Sequence, residues 1–192
     1  MSRGSLFGAH LPDGFRHSED FITGDEEARL VEAIAGIEFA EFEMRGVVAR
    51  RRVAFFGASY ETGRPATSPL PAFLDPLRTA LATWAGLDPQ AFAMALINQY
   101  PPGAPIGWHR DAPQYDIVAG ISLTSSCRMK FRPYVRSDNA AAPGVRRTAT
   151  HEIVLAPRSA YLMTGPARSA YEHHIPAVAA LRYSITFRSL RT

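Results

Sequence analysis

Leu96-Ile-Asn-Gln-Tyr-Pro-Pro-Gly-Ala-Pro-Ile-Gly-Trp-His-Arg-Asp111 decides how the rest of the chain is read. The segment opens as a strand and breaks at Pro101-Pro102-Gly103. It then delivers His109 and Asp111 two residues apart. In extended backbone, residues i and i+2 point to the same side, so an imidazole and a carboxylate converge on one point. They form two thirds of the two-histidine, one-carboxylate facial triad that holds a non-haem Fe(II) with open coordination positions. A His-x-Asp pair alone is more often an ion pair. The metal reading therefore requires a third ligand and a clamp for an anionic co-substrate elsewhere in the chain.

The last strand offers the clamp. Leu181-Arg-Tyr-Ser-Ile-Thr-Phe-Arg188 alternates strictly, with Leu181, Tyr183, Ile185 and Phe187 on one face and Arg182, Ser184, Thr186 and Arg188 on the other. The polar face either meets solvent or lines a cavity in which the arginines hold the carboxylates of a small diacid. Asn98 and Tyr100 share a face of the earlier strand and are suitable neutral donors to the same anion. Tyr171-Glu-His-His-Ile-Pro176 offers the third ligand. Adjacent residues of a strand point oppositely, so only one of His173 and His174 can serve. His10, His17 and His151 have no suitable neighbours.

Around these segments, short strands separated by Pro, Gly, Asp and Asn turns are expected at Met94–Tyr100, Ile117–Leu123, Met129–Pro133, His151–Leu155, Ser159–Thr164 and Leu181–Ser189. That spacing predicts a mainly β (α+β) fold, a sandwich or jelly roll. Two helices precede it. Thr23-Gly-Asp-Glu26 is a capping box opening a helix that Gly36 ends. Asp75-Pro76 reads as the N-cap and N1 pair of a second, with a start near Pro71 and a kink at Pro76 as the alternative; Leu77, Leu81 and Trp84 share one face and Gly86 is its stop. Residues 38–44 and 46–57 read as strands, residues 58–69 as a turn-rich loop and residues 135–147 as a long polar hairpin loop. Residues 1–20 are expected to be a partly ordered lead-in.

At 192 residues the chain suits one domain with a substantial core. No apolar run is long enough to span a bilayer and the N-terminus lacks the apolar core of a signal peptide, so a cytoplasmic monomer is expected. The single cysteine, Cys127, excludes an internal disulfide and a multi-thiolate zinc site. A net charge of +3, almost all of its cations arginine, is compatible with a polyanionic partner.

Taken together, Asn98-x-Tyr100-x-x-Gly103, His109-x-Asp111, His173-x-Ile175 and Arg182-x-Ser184-x-Thr186-Phe187-Arg188 resemble the AlkB-type Fe(II)- and 2-oxoglutarate-dependent dioxygenases. The matching order runs from Asn98 to Arg188. Upstream, Arg52-x-x-Phe55-Phe56-Gly57-x-x-Tyr60 resembles the family's substrate-lid segment more loosely.

The resemblance implies a double-stranded β-helix over residues 91–192, with residues 1–90 as an N-terminal extension carrying helices and the lid. It places Fe(II) on His109, Asp111 and His173, the last because the family's distal ligand precedes a small residue and then Ile or Leu. His174 stands where relatives usually carry Ser or Gly. Arg182 with Tyr100 would take the distal carboxylate of 2-oxoglutarate, and Arg188 with Asn98 and Ser184 the metal-proximal one. Arg52, Tyr60 and Trp108 would meet the substrate. The implied reaction consumes O2 and 2-oxoglutarate, gives succinate and carbon dioxide, and oxidatively dealkylates an N-alkylated base in single-stranded DNA or RNA. Pro113 departs from the pattern: well-studied repair members often carry an acidic base-reading residue there. It motivates one alternative, the same iron chemistry on a protein or small molecule; a second, from another class, is a non-catalytic nucleic-acid-binding jelly roll.

Overall fold

The computed structural model describes residues 11–44, 47–58, 68–135 and 150–191. The expected lid residue Tyr60, most of the 58–69 loop and residues 136–147 of the expected hairpin loop lie outside them.

Two sheets face each other. The larger has seven strands in the order β1 (Phe15–Ser18), β9 (Ala160–Met163), β6 (Tyr115–Leu123), β11 (Arg182–Leu190), β4 (Phe92–Tyr100), β3 (Val47–Gly57) and β2 (Ala40–Met44). The smaller has four: β5 (Ile106–His109), β10 (Tyr171–Ile175), β7 (Cys127–Pro133) and β8 (His151–Leu155). All strand pairings within both sheets are antiparallel. This is the expected jelly roll, and strands from both sides of residue 90 share its larger sheet.

The helices cover the outer face of that sheet. Helix α1 (Gly24–Ala35) starts with the capping box: Thr23 Oγ1 accepts from Glu26 N at 3.2 Å and Glu26 Oε2 accepts from Thr23 N at 2.7 Å. Helix α2 (Asp75–Ala85) ends at Gly86, whose φ of 74° is the left-handed conformation that glycine adopts without a Cβ clash. Asp75 is its first residue rather than its cap, because a short 3₁₀ turn, Ala72–Leu74, leads into it. Leu30 and Ile34 of α1 and Leu77 and Leu81 of α2 share one core with Ile97, Ile121, Ile185 and Phe187. Full burial of side chains of this size contributes about 1.5–3 kcal/mol each.

The alternation of the last strand is thereby resolved. Tyr183, Ile185 and Phe187 pack under the helices, and Arg182, Ser184, Thr186 and Arg188 line the space between the sheets. A second core of Tyr100, Val118, Met129, Phe131, Tyr161, Met163 and Ile175 closes that space at one side. Four elements were not among those expected from the sequence, and two of them, β5 and β10, carry His109 and His173. Phe15–Ser18, in the expected lead-in, is an edge strand paired to β9. Gly165–Ser169 forms a short helix, α3, between β9 and β10.

Candidate active site

The site is built from inward-facing residues of β11 and β4 on one sheet and β5 and β10 on the other. Register fixes the neighbours. Across β11 and β4, Arg182 stands opposite Tyr100, Ser184 opposite Asn98 and Thr186 opposite Leu96. Across β10 and β5, His173 stands directly opposite His109. All of these border one cavity of about 270 Å³, together with Asp111, Arg188, Arg51 and Tyr161.

The His109 and His173 ring centroids are 4.2 Å apart, and His173 Nε2 lies 3.8 Å from Asp111 Oδ2. His109 Nδ1 is 2.9 Å from the Gly107 carbonyl oxygen. A proton on Nδ1 donates to that oxygen and leaves Nε2 with its lone pair free, the usual way a ligating histidine is oriented. The other carboxylate oxygen, Asp111 Oδ1, accepts from Arg188 Nη2 at 2.8 Å and Nε at 3.1 Å. Arg188 Nη1 in turn donates to Thr186 Oγ1 at 3.0 Å. Three potential ligands thus share one end of the cavity, with Asp111 Oδ2 as the oxygen turned toward His173.

Electrostatics prepares this donor set. Burial works against ionisation of Asp111, but Arg188, then His173, His109 and Arg168, hold its carboxyl well below the usual range. Burial, reinforced by the field of His109, pushes His173 down to about 3. His109 is also lowered, chiefly by burial. Two neutral imidazoles and one carboxylate result, so the 3.8 Å contact between His173 and Asp111 is proximity, not an ion pair. Two nitrogens and one anionic oxygen suit a divalent first-row metal.

Arg182 is 1% exposed and lines the cavity. Its Nε donates to Ser122 Oγ at 3.1 Å and its guanidinium lies 4.9 Å from the Tyr100 ring centroid. Its Nη1 is buried without a hydrogen-bond partner among the described residues. A buried guanidinium with an unpaired donor matches a carboxylate-bearing ligand. The residues present therefore fit both a ferrous ion and a dicarboxylate co-substrate. Asn98 Nδ2 donates to Ser184 Oγ at 3.4 Å and sits between the two arginines of β11.

His174 faces away from this centre. Its Nδ1 is 2.5 Å from the Ile106 carbonyl oxygen and its ring lies 5.0 Å from that of Trp108. Trp108 also carries the Arg132 guanidinium 4.3 Å from its ring and borders an adjoining groove, not the main cavity. Arg52 departs from expectation more fully. It lies on the exposed side of β3, where Nη2 donates to the Phe39 carbonyl at 2.6 Å. Strand parity makes its neighbour Arg51 the inward arginine: Arg51 is buried, and Nε donates to Asn98 Oδ1 at 3.2 Å.

Two further residues were missed in the sequence. Arg168, on α3, is 5% exposed, and its Nη2 donates to the carbonyls of Ala112 and Tyr115, the latter at 3.0 Å. It thereby straps the loop that carries Asp111. Tyr161 lines the cavity, and its ring lies across Gly120, where a Cβ would meet the ring at 2.5 Å. The pairing of Gly120 with an inward tyrosine on β9, three strands later in the chain, has no local sequence signature.

Residues 39–188 match the 2OG-Fe(II) oxygenase superfamily. The chain is 27% identical over 175 residues to an Arabidopsis thaliana protein named as an alkylated DNA repair protein ALKBH8 homolog, covering 82% of this chain and 49% of that protein. It thus spans about half the length of that relative. Among solved structures, OsALKBH1 superposes with a TM-score of 0.70 at 15% identity, covering 94% of this chain and all of the other. A Pseudomonas putida prolyl-4-hydroxylase superposes with a TM-score of 0.61 at 12% identity, covering 93% and 94%. At these identities the two structures establish the fold.

Proposed function

Because the chain belongs to the 2OG-Fe(II) oxygenase superfamily, we propose that it oxidatively dealkylates N-alkylated bases in single-stranded DNA or RNA, with Fe(II) on His109, Asp111 and His173. The observation that carries the metal assignment is the convergence of His109, His173 and Asp111 between two sheets, with both imidazoles held neutral.

Arg182 holds one carboxylate of 2-oxoglutarate through its unpaired Nη1, and Tyr100 and Ser122 fix the guanidinium around it. Arg188 keeps Asp111 ionised and leaves one oxygen of the carboxylate for the metal. Asn98 and Ser184 supply neutral donors between them. The apolar walls, Leu96, Val118, Met129 and Ile175, keep bulk water from the reacting carbon. Bound Fe(II), with O2 and 2-oxoglutarate, supplies the oxidising power that hydroxylates the N-alkyl carbon while the co-substrate leaves as succinate and carbon dioxide. The hydroxylated carbon then departs as an aldehyde and the base keeps the electron pair of the broken C–N bond. A single strand presents its bases without the cost of unstacking a duplex.

The nucleic-acid assignment is supported by the name of the Arabidopsis relative, within the half of its length that is matched. A second reading, protein or small-molecule hydroxylation, rests on Pro113, which offers no side chain for reading a base. Mass spectrometry on methylated single-stranded DNA, duplex DNA, RNA and a peptide panel separates the two. Succinate and formaldehyde with the methylated single strands support dealkylation; turnover of peptides alone replaces it with the second reading.

A further inference from the structure

On the reading that the substrate is an N-alkylated base, we infer that Arg51 selects it, admitting neutral bases whose alkylated ring nitrogen is flanked by a carbonyl oxygen. 3-Methyluracil, 3-methylthymine and 1-methylguanine belong to this class. The cationic lesions 1-methyladenine and 3-methylcytosine are disfavoured.

Position comes first. Arg51 borders the metal-side cavity and also a neighbouring groove of about 370 Å³ walled by Phe42, Pro105, Ile106 and Trp108. His109 borders both spaces as well. A ring passing from the groove to the metal therefore passes Arg51. The guanidinium is also held in place. Its Nε donates to Asn98 Oδ1 and its Cζ lies 4.3 Å from the Phe42 ring centroid. Among the described residues its terminal nitrogens have no hydrogen-bond partner, which leaves them for a ligand.

The chemistry of that ligand follows from what arginine lacks. A guanidinium donates and cannot accept. It pairs with a carbonyl edge and has nothing to offer the exocyclic amino group of adenine, whereas 3-methylcytosine keeps a carbonyl at C2 and is set apart by its charge. Charge gives the same answer. Arg51, Arg110, Arg182 and Arg188 line the cavity against one carboxylate among the described residues, Asp111. A ferrous ion and the 2-oxoglutarate dianion cancel, so the site keeps three surplus positive charges when the base arrives. In a space shielded from water that surplus acts on a ligand cation far more strongly than it would in solution.

The test uses the iron-loaded enzyme and single-stranded oligonucleotides, each with one modified base from these five. Fluorescence anisotropy without oxygen, in the presence of 2-oxoglutarate, reads binding. Succinate and formaldehyde in air read turnover. The neutral class is expected to lead the cationic class by at least about tenfold in kcat/KM, the discrimination typical of one well-placed bidentate contact. Arg51→Gln brings that ratio to within about threefold of one. Arg51→Lys retains the bias against cations but binds the neutral bases about tenfold more weakly, and Arg52→Gln on the opposite face leaves the ratio as in the wild type. Circular dichroism and melting confirm that each variant is folded. A wild-type preference for 1-methyladenine or 3-methylcytosine overturns the inference while leaving base dealkylation standing, as does an unchanged ratio in folded Arg51→Gln. No binding and no turnover of any modified base overturns dealkylation itself and this inference with it.

Discussion

Replacing Arg182 by methionine separates anchoring from folding. The guanidinium is 1% exposed, its Nη1 is unpaired and its internal hydrogen bond is the 3.1 Å contact to Ser122 Oγ. Replacing buried charges by apolar side chains of similar volume is often neutral or stabilising by about 1–4 kcal/mol. Against this stand the lost Ser122 bond, about 1 kcal/mol, and the contact with the Tyr100 ring, about 1–2 kcal/mol. These contributions nearly cancel. At roughly 2–4 °C per kcal/mol for a chain of this size, the melting temperature without co-substrate is expected within about 5 °C of wild type. Co-substrate binding behaves differently. Truncating one partner of a buried charge-assisted pair costs about 2–5 kcal/mol, which is roughly 30- to 5,000-fold in Kd. Calorimetric titration of 2-oxoglutarate into protein loaded with redox-inert Mn(II) measures this directly. An affinity within threefold of wild type would refute the anchoring role. A collapse of the fold without co-substrate would show that Arg182 is structural instead.

Three more expectations follow from the same geometry. His173→Ala should lower divalent-metal affinity by more than about a hundredfold, beyond the effect typical of outer-shell residues. His174→Ala should change it little and cost about 1 kcal/mol of stability through its bond to the Ile106 carbonyl; the opposite ranking in metal titrations would reverse the ligand assignment. The metal-free protein should lose stability as pH falls. His173 is lowered from 6.5 to about 3 and His109 is lowered too, so the unfolded chain takes up protons first. Their contribution is fully present above about pH 6.5 and lost progressively toward pH 3, and urea midpoints that stay flat between pH 7 and 4 would contradict it. Gly120→Ala places a Cβ 2.5 Å from the Tyr161 ring, so overpacking should cost about 1–3 kcal/mol. Thermal melts of Gly120→Ala matching wild type would show that the ring is free to move aside.

The sequence by itself determined whatever depends on local periodicity and spacing. The strict alternation of residues 181–188 committed the last strand to one apolar and one cationic face, because side chains on a strand have a period of two. Thr23 and Glu26 announced the start of α1 because a capping box closes within four residues. His109-x-Asp111 placed two donors on one side of extended backbone for the same geometric reason. Parity, however, is relative: it says that two neighbours face apart and not which of them faces in. Only the register of β10 against β5 turned His173 inward and His174 toward Trp108, and only the pairing of β3 with β4 made Arg51 the inward arginine and sent Arg52 outward. Arg168 and the Gly120–Tyr161 contact were equally invisible, since each joins segments far apart in the chain through packing that no local pattern encodes. The direction of a side chain across a sandwich is set by which strands pair, and that is a property of the assembled sheets.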